Sequence, residues 1–408
     1  MKLLFTKRGY SPVGGSESLC YQFATRLAKR GHDVRVVCAW PTDKEEVRYP
    51  AARYGPRAFD DHRVFTDEHG VEVVQVRPRG GIFGMAADAT TLVDLMRGDI
   101  LERYAEDREV IHNVGREYLG SSLEVAEELD VPIVLTPLAH PGQFHGGDGP
   151  TDIARYRTVS AITTMTDWER SWYIGNGVHP ARVVTTGMGP NAVRSGDGRA
   201  WRRRRGIPDD ASIVLYLGRK ERYKGYIQLL DSAELVWAKH PETRYVFIGI
   251  AGFYSTFIDD FVRYTDERIV HIEGASGEEK SAALDACDLL AMPSQHETFG
   301  LGYLEAWLHR KPVIGCDIPP MREVIGDHGL LVPQRPLELA DAIVRLIEDP
   351  GLRQAMGDGG YAKVLKQWDW DRVIDRVESA YERAFASVPA DVAPSAALGF
   401  GDEAAAIA

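Results

Sequence analysis

Apolar and polar positions along this chain follow two recurring patterns: short continuous apolar runs and longer stretches with helical spacing. Leu3-Leu4-Phe5 is the first run and reads as a short buried strand. A loop over residues 9–15 follows, then an amphipathic stretch over residues 16–30 that stops at Gly31, as helices commonly do. Val34-Arg35-Val36-Val37-Cys38 predicts the next strand. Further apolar runs at residues 71–76, 110–112 and 133–135 predict more strands, with a helix over 121–129 between the last two. Strands alternating with helices imply a mainly parallel sheet covered on both faces.

Near residues 187–210 the composition turns to Gly, Pro, Arg and Asp, and beyond it the alternation restarts. Strands are predicted at residues 213–217, 245–248, 289–292 and 312–314, with helices over 226–240 and 282–287. The basic run at residues 202–205 reads as a solvated helix at a domain edge. Trp368-Asp369-Trp370-Asp371 leads into an amphipathic helix ending near Phe385, and after Val388 the chain is rich in Ala, Pro and Gly, as loose tails are. The fold class is α/β, two doubly wound domains in series. The predicted boundaries are residues 1–190, 191–370, a helix over 371–387 and a tail over 388–408.

Composition narrows the function. A chain of 408 residues can bury two cores, and 44% hydrophobic with 26% charged residues is ordinary for a globular protein. A formal net charge of -12 argues against nucleic acid as the main partner, because neutralising phosphates needs a basic surface. Cys20, Cys38, Cys287 and Cys316 form no CxxC pair and read as buried thiols. The opening residues are too short an apolar run for a signal peptide, and no stretch approaches a transmembrane span. A cytoplasmic location is the expectation.

The most informative stretch is His296-Glu297-Thr298-Phe299-Gly300-Leu301-Gly302-Tyr303-Leu304-Glu305, which follows the apolar run Leu289-Leu290-Ala291-Met292-Pro293. Strand, tight loop and helix start come in that order. A helix start offers unpaired N–H groups and a positive dipole end to a phosphate, and glycines let the backbone come close. Carboxylates on either side would accept hydrogen bonds from hydroxyls. A ligand with hydroxyls at both ends and phosphates in the middle is a nucleotide sugar. The plainer alternative makes Glu305 a helix-surface residue and Glu297 a loop carboxylate favouring a helix N-terminus. Two further motifs bear on the choice. Gly14-Gly15 follows the first strand but does not match GxGxxG, and Cys38-Ala39-Trp40 closes the second strand without an acidic residue, which argues against a dinucleotide dehydrogenase. Leu217-Gly218-Arg219 and Lys224-Gly225 put two cations at the carboxyl edge of the second sheet, where open α/β sheets bind ligands.

Together these motifs resemble those of the family 4 retaining glycosyltransferases of the GT-B fold, most strongly over residues 215–333 and continuously through the N-terminal half. The resemblance implies two Rossmann-like domains facing across a cleft, with the C-terminal helix returning to the N-terminal domain. It gives Glu297 to the transferred sugar and Glu305 to the ribose hydroxyls. The amides of Phe299, Gly300 and Leu301 would lie near sugar or phosphate. Arg219 and Lys224 would hold the donor diphosphate in place of a metal ion. Gly14 and Gly15 would face the phosphates, Gly274 would border the base, and His140 would contact the sugar or position the acceptor, with His145 a nearby competitor for that role. Two departures stand out. Thr185-Thr186-Gly187-Met188-Gly189-Pro190-Asn191 replaces the family's Asn-Gly-Val turn, and residues 41–91, which include Arg53, Arg57, Arg63, Arg77 and Arg79, match nothing specific. That variable region is expected to set the acceptor.

The expected activity is metal-independent, retaining transfer of a hexose-type sugar to a hydroxyl acceptor from a nucleoside diphosphate sugar, UDP favoured and GDP possible. The alternatives are another GT-B enzyme and a non-catalytic nucleotide-sugar-binding subunit. A phosphorylase would need inorganic phosphate, and an epimerase would turn over its donor with no acceptor added.

Overall fold

The structure, a computed structural model, describes residues 1–41, 50–77, 98–143, 146–191, 196–250 and 266–386. His145, Arg79 and the tail predicted at 388–408 lie outside these residues. The chain divides into two units: unit 1 is Met1–Gly187 with Asp371–Ala408, and unit 2 is Met188–Trp370.

Unit 1 carries nine strands among the described residues: β1 (Lys2–Lys7), β2 (Asp33–Ala39), β3 (Arg57–Ala58), β4 (His62–Thr66), β5 (Glu72–Val76), β6 (Val110–Val114), β7 (Ile133–Thr136), β8 (Ala161–Thr164) and β9 (Val183–Thr185). Their order in the sheet is β3-β4-β5-β2-β1-β6-β7-β8-β9. Leu3, Leu4 and Phe5 are wholly buried because β1 lies mid-sheet, flanked in parallel by β2 and β6. The edge departs from the predicted parallel pattern: β4 pairs antiparallel with both β3 and β5. Within residues 41–91 the sequence predicts only the run at 71–76, because β4, His-Arg-Val-Phe-Thr, has few apolar residues to mark it.

The helix Trp370–Phe385 joins unit 1 from Asp371 onward. Arg30 donates to Asp375 at 2.7 Å and to Glu378 at 2.6 Å. Deeper in, Tyr381 meets His112 Nδ1 at 2.9 Å, and His112 Nε2 meets Thr136 Oγ1 at 2.7 Å. The C-terminal helix is thereby tied by hydrogen bonds to two central strands. Burial drives the His112 imidazole pKa down to about 3, so it is neutral in the fold.

Unit 2 is wholly parallel: β10 (Ile213–Leu217), β11 (Arg244–Ile248), β12 (Ile269–Ile272), β13 (Leu289–Met292), β14 (Val313–Cys316) and β15 (Gly329–Val332), ordered β12-β11-β10-β13-β14-β15. In chain order within the unit this is 3-2-1-4-5-6, the doubly wound topology whose direction reverses between β10 and β13. In sheets of this order, ligands bind at the carboxyl ends of the strands flanking that reversal.

Two local expectations are corrected. The helix predicted over 226–240 is interrupted at Ser232, giving Tyr226–Asp231 and Ala233–Trp237. Ser232 Oγ donates to the Leu229 carbonyl at 2.6 Å, an alternative bond that polar residues offer within helices. Arg202 is not a solvated charge. From the helix Gly198–Arg204 it donates to the Ala286 carbonyl at 2.8 Å and to Asp288 at 3.1 Å, closing the carbonyl end of the helix Gly277–Ala286. The departing turn near residue 189 also has a packing reason. A Cβ on Gly189 would lie 2.5 Å from the Trp370 ring, whose indole N–H donates to the Pro190 carbonyl at 2.9 Å. All four cysteines are buried and free, and burial pushes the Cys38 and Cys287 thiols up to about 12.

Candidate active site

In unit 2 the site begins where β10 ends. Arg219 is exposed just beyond the strand and donates to the Tyr223 hydroxyl at 3.1 Å, and its own carbonyl accepts from Tyr216 at 2.7 Å. Lys224 ends a single turn closed by Gly225, which has φ +73°. No side chain fits at Gly225: a Cβ would lie 2.5 Å from the Pro293 carbonyl oxygen and 2.6 Å from Gln334 Nε2. Gln334 donates to the carbonyls of Pro293 and Tyr223, at 2.6 and 3.0 Å, and so clamps the loop after β10 to the loop after β13.

That clamp sets the central contact. Lys224 Nζ lies 2.6 Å from Glu297 Oε2, with the two side chains only 14% and 10% exposed. His296, next along, has its imidazole pKa held below the usual range by burial and by the Lys224 ammonium. Gly300 then turns the chain at φ +76° and starts the helix Leu301–Leu308, with no side chain capping it. A Cβ there would meet the Tyr303 ring at 2.3 Å. Tyr303 is itself fully buried and donates to the Met292 carbonyl, fixing the helix on β13. Phe299 packs its side chain into the interior against Trp368, ring centroids 5.1 Å apart, so only its backbone can face a ligand. Leu301 supplies the first helical amide after Gly300.

Glu305 sits one turn into this helix, 5% exposed, with its Oε1 2.5 Å from Lys280 Nζ. The reading of Glu305 as a helix-surface carboxylate is corrected: the helix buries it. Gly274 turns the chain after β12 with φ +68°. The adjacent Glu273 lies 3.8 Å from Lys220, which is buried, whereas Arg222 is exposed. Lys220 is thus withdrawn from solvent in an otherwise charged run, Lys220-Glu221-Arg222.

In unit 1, Gly14 (φ +121°) and Gly15 precede the helix Ser16–Lys29, and Ser18 Oγ donates to both glycine carbonyls at 2.6 and 2.8 Å. His140 follows β7, half-buried, in a turn where its N–H donates to the Gly146 carbonyl at 2.7 Å. At the end of β1, buried Lys7 pairs with Glu117 at 3.0 Å, beside the point where the order of this sheet also reverses. Burial pulls the Lys7 pKa down, but the Glu117 and Glu17 carboxylates outweigh it and leave it raised.

Two family models match this chain. One, described as "Glycosyl transferases group 1", covers residues 197–363, and the other, "Glycosyl transferase 4-like domain", covers residues 14–189. The chain belongs to the family 4 glycosyltransferases, with the GT-B fold.

Relatives of this glycosyltransferase match along nearly its whole length. A glycogen synthase of Mycobacterium tuberculosis is 25% identical over 93% of this chain and 94% of its own. A D-inositol 3-phosphate glycosyltransferase of Kineococcus radiotolerans is 27% identical over 92% of each. Among solved structures, the Anabaena protein Alr3699/HepE in complex with UDP and glucose aligns with a TM-score of 0.72, at 19% identity, over 94% of this chain and 99% of its own. Sucrose-phosphate synthase from Thermosynechococcus elongatus aligns with a TM-score of 0.73 at the same identity and coverage. Among the described residues, no helix of the glycosyltransferase is long and apolar enough to cross a membrane. Three residues near this site of unit 2 were not singled out from the sequence: Lys280, which holds Glu305; Lys220, buried beside Glu273; and Gln334, which joins the loops.

Proposed function

We propose that this glycosyltransferase binds a nucleoside diphosphate sugar at the β10/β13 crevice and passes the sugar to a hydroxyl acceptor with retention of configuration. The observation that carries this reading is the Lys224–Glu297 contact in front of a glycine-capped helix start. A cation and backbone amides suited to phosphate stand beside a carboxylate suited to sugar hydroxyls. Arg219, Lys224 and the amides from Phe299 to Leu301 stabilise the departing diphosphate as its charge grows, which makes the reaction metal-independent. Glu297 contacts the sugar, Glu305 the ribose, and the turn at Gly274 borders the base. The acceptor hydroxyl attacks on the face the leaving group departs from, and a diphosphate oxygen takes its proton.

UDP is favoured as the donor nucleotide, a choice supported by the UDP, UDP-glucose and UDP-2-fluoro-glucose complexes of similarly folded proteins. Thermal unfolding with UDP, GDP, ADP and their glucose conjugates tests the reading, because a ligand of the native state raises Tm by mass action. A rise with UDP and UDP-glucose above that with the others is expected. The absence of a rise with every nucleotide would overturn the assignment of the crevice.

A further inference from the structure

We infer that Lys280 is a positioning residue for the ribose end of the donor, acting through Glu305. This rests on the reading of Glu305 as the ribose acceptor. Glu305 is 5% exposed and its Oε1 lies 2.5 Å from Lys280 Nζ, whereas Lys280 itself is 28% exposed. A carboxylate so far from water is stabilised by a cation or several donors beside it. As an ionised carboxylate it is acceptor-only with about four lone-pair sites, so one bond to Lys280 leaves acceptors for a vicinal diol. Turned aside, it would lose that complementarity.

Lys280 is also well placed to couple two parts of the nucleotide. It lies in the second turn of the helix Gly277–Ala286, whose start is capped by Ser276 Oγ accepting from the Glu279 N–H at 3.1 Å. The turn at Gly274, proposed to border the base, leads directly into that cap. Ser281, next to Lys280, lies 3.4 Å from His309 Nε2 just past the end of the Glu305 helix, a second tie between the two helices. Base-side loop and ribose-side carboxylate are therefore held by one short element, with Lys280 as the link.

The test measures binding of UDP, ADP and GDP, each against its 2′,3′-dideoxy form, by calorimetry on the full chain. The wild type is expected to prefer the ribose form of the nucleotide it binds by about tenfold or more, the loss that follows when a buried acceptor goes unpaired. Glu305→Gln should reduce that ratio to about threefold or less. Lys280→Met should reduce it equally while raising the donor KM more than it lowers kcat, and Lys280→Arg should restore it. If Lys280→Met does not fold, Lys280→Gln, which keeps a donor without the charge, is read in its place. A wild-type ratio in the Lys280 variant with a collapsed ratio in Glu305→Gln would overturn the role of Lys280 and leave Glu305 standing. An unchanged ratio in Glu305→Gln would instead remove Glu305 from the ribose, and the inference with it.

Discussion

Lys224 and Glu297 make an informative pair to separate, because the two halves should do opposite things to nucleotide binding. At 2.6 Å and an effective dielectric near 20, their attraction is about 6 kcal/mol, much of it offset by desolvation of the two ions. Breaking a buried pair from one side costs about 3–5 kcal/mol, and the 14% and 10% exposure of these side chains lowers that to about 2–4 kcal/mol for Lys224→Met. Glu297→Gln should cost less, about 1–2 kcal/mol, since the amide keeps the shape and the lysine can turn its ammonium toward water.

Binding separates them further. On the proposed roles, the cation that would hold the diphosphate is paired with the carboxylate that would hold the sugar, so a diphosphate must displace Glu297 before it gains Lys224. Lys224→Met removes a charge-assisted hydrogen bond and should weaken free UDP by about ten- to hundredfold. Glu297→Gln removes the competitor and should tighten free UDP by about tenfold, while turnover with UDP-sugar falls by about a hundredfold or more. Calorimetric titration with UDP, with unfolding followed in parallel, reads both effects. Equal weakening of UDP by both variants would refute the exchange, because the pair would then be a structural brace with no cation to release.

Three further outcomes are expected. Gly300→Ala forces a side chain into φ +76° and against the Tyr303 ring, so it should cost about 2 kcal/mol or more and weaken nucleotide binding; an unchanged Tm and affinity would show that this turn relaxes freely. His112, with its pKa lowered from 6.5 to about 3, contributes stability that is complete above pH 6.5, because below it the unfolded chain takes up a proton the native chain refuses. That contribution falls by about 1.4 kcal/mol per pH unit down to about pH 3, so His112→Gln should flatten Tm against pH across this window; a parallel profile would contradict the neutral buried imidazole. Transfer activity should survive a chelator, and loss restored by magnesium would overturn the metal-independent reading.

The parallel core was legible where a strand is a continuous apolar run bounded by turn residues, as in Ile213-Val214-Leu215-Tyr216-Leu217, whereas the short or mixed runs of β8, β9, β12 and β15 were not read as strands. The edge of unit 1 was not, for the same reason reversed. β4 has only Val64 and Phe65 as apolar residues, and β3 is two exposed residues, so neither announces itself locally. β4 is buried from His62 to Phe65, yet half of that stretch is polar, so its burial leaves no apolar run to read.

The same contrast governs the site. Glu297, Gly300 and Glu305 could be read together because one strand, one turn and one helix carry them, and a local run of residues fixes their mutual geometry. Lys280 stands 25 positions from its partner, on another helix, in a Gly-Glu-Glu-Lys-Ser context typical of a solvated helix start. Lys220 is similar: flanked by Arg219, Glu221 and Arg222, its composition says surface, yet it is buried and lies 3.8 Å from Glu273. What sequence spacing carries is backbone-determined geometry. Which charge becomes buried depends on where a distant element comes to rest, and in this fold the doubly wound order decides that by bringing the loops after β10, β12 and β13 to one sheet edge. A residue such as Lys280 therefore becomes visible only once strand order is known, although its effect on ribose discrimination is expected to rival that of Glu305 itself.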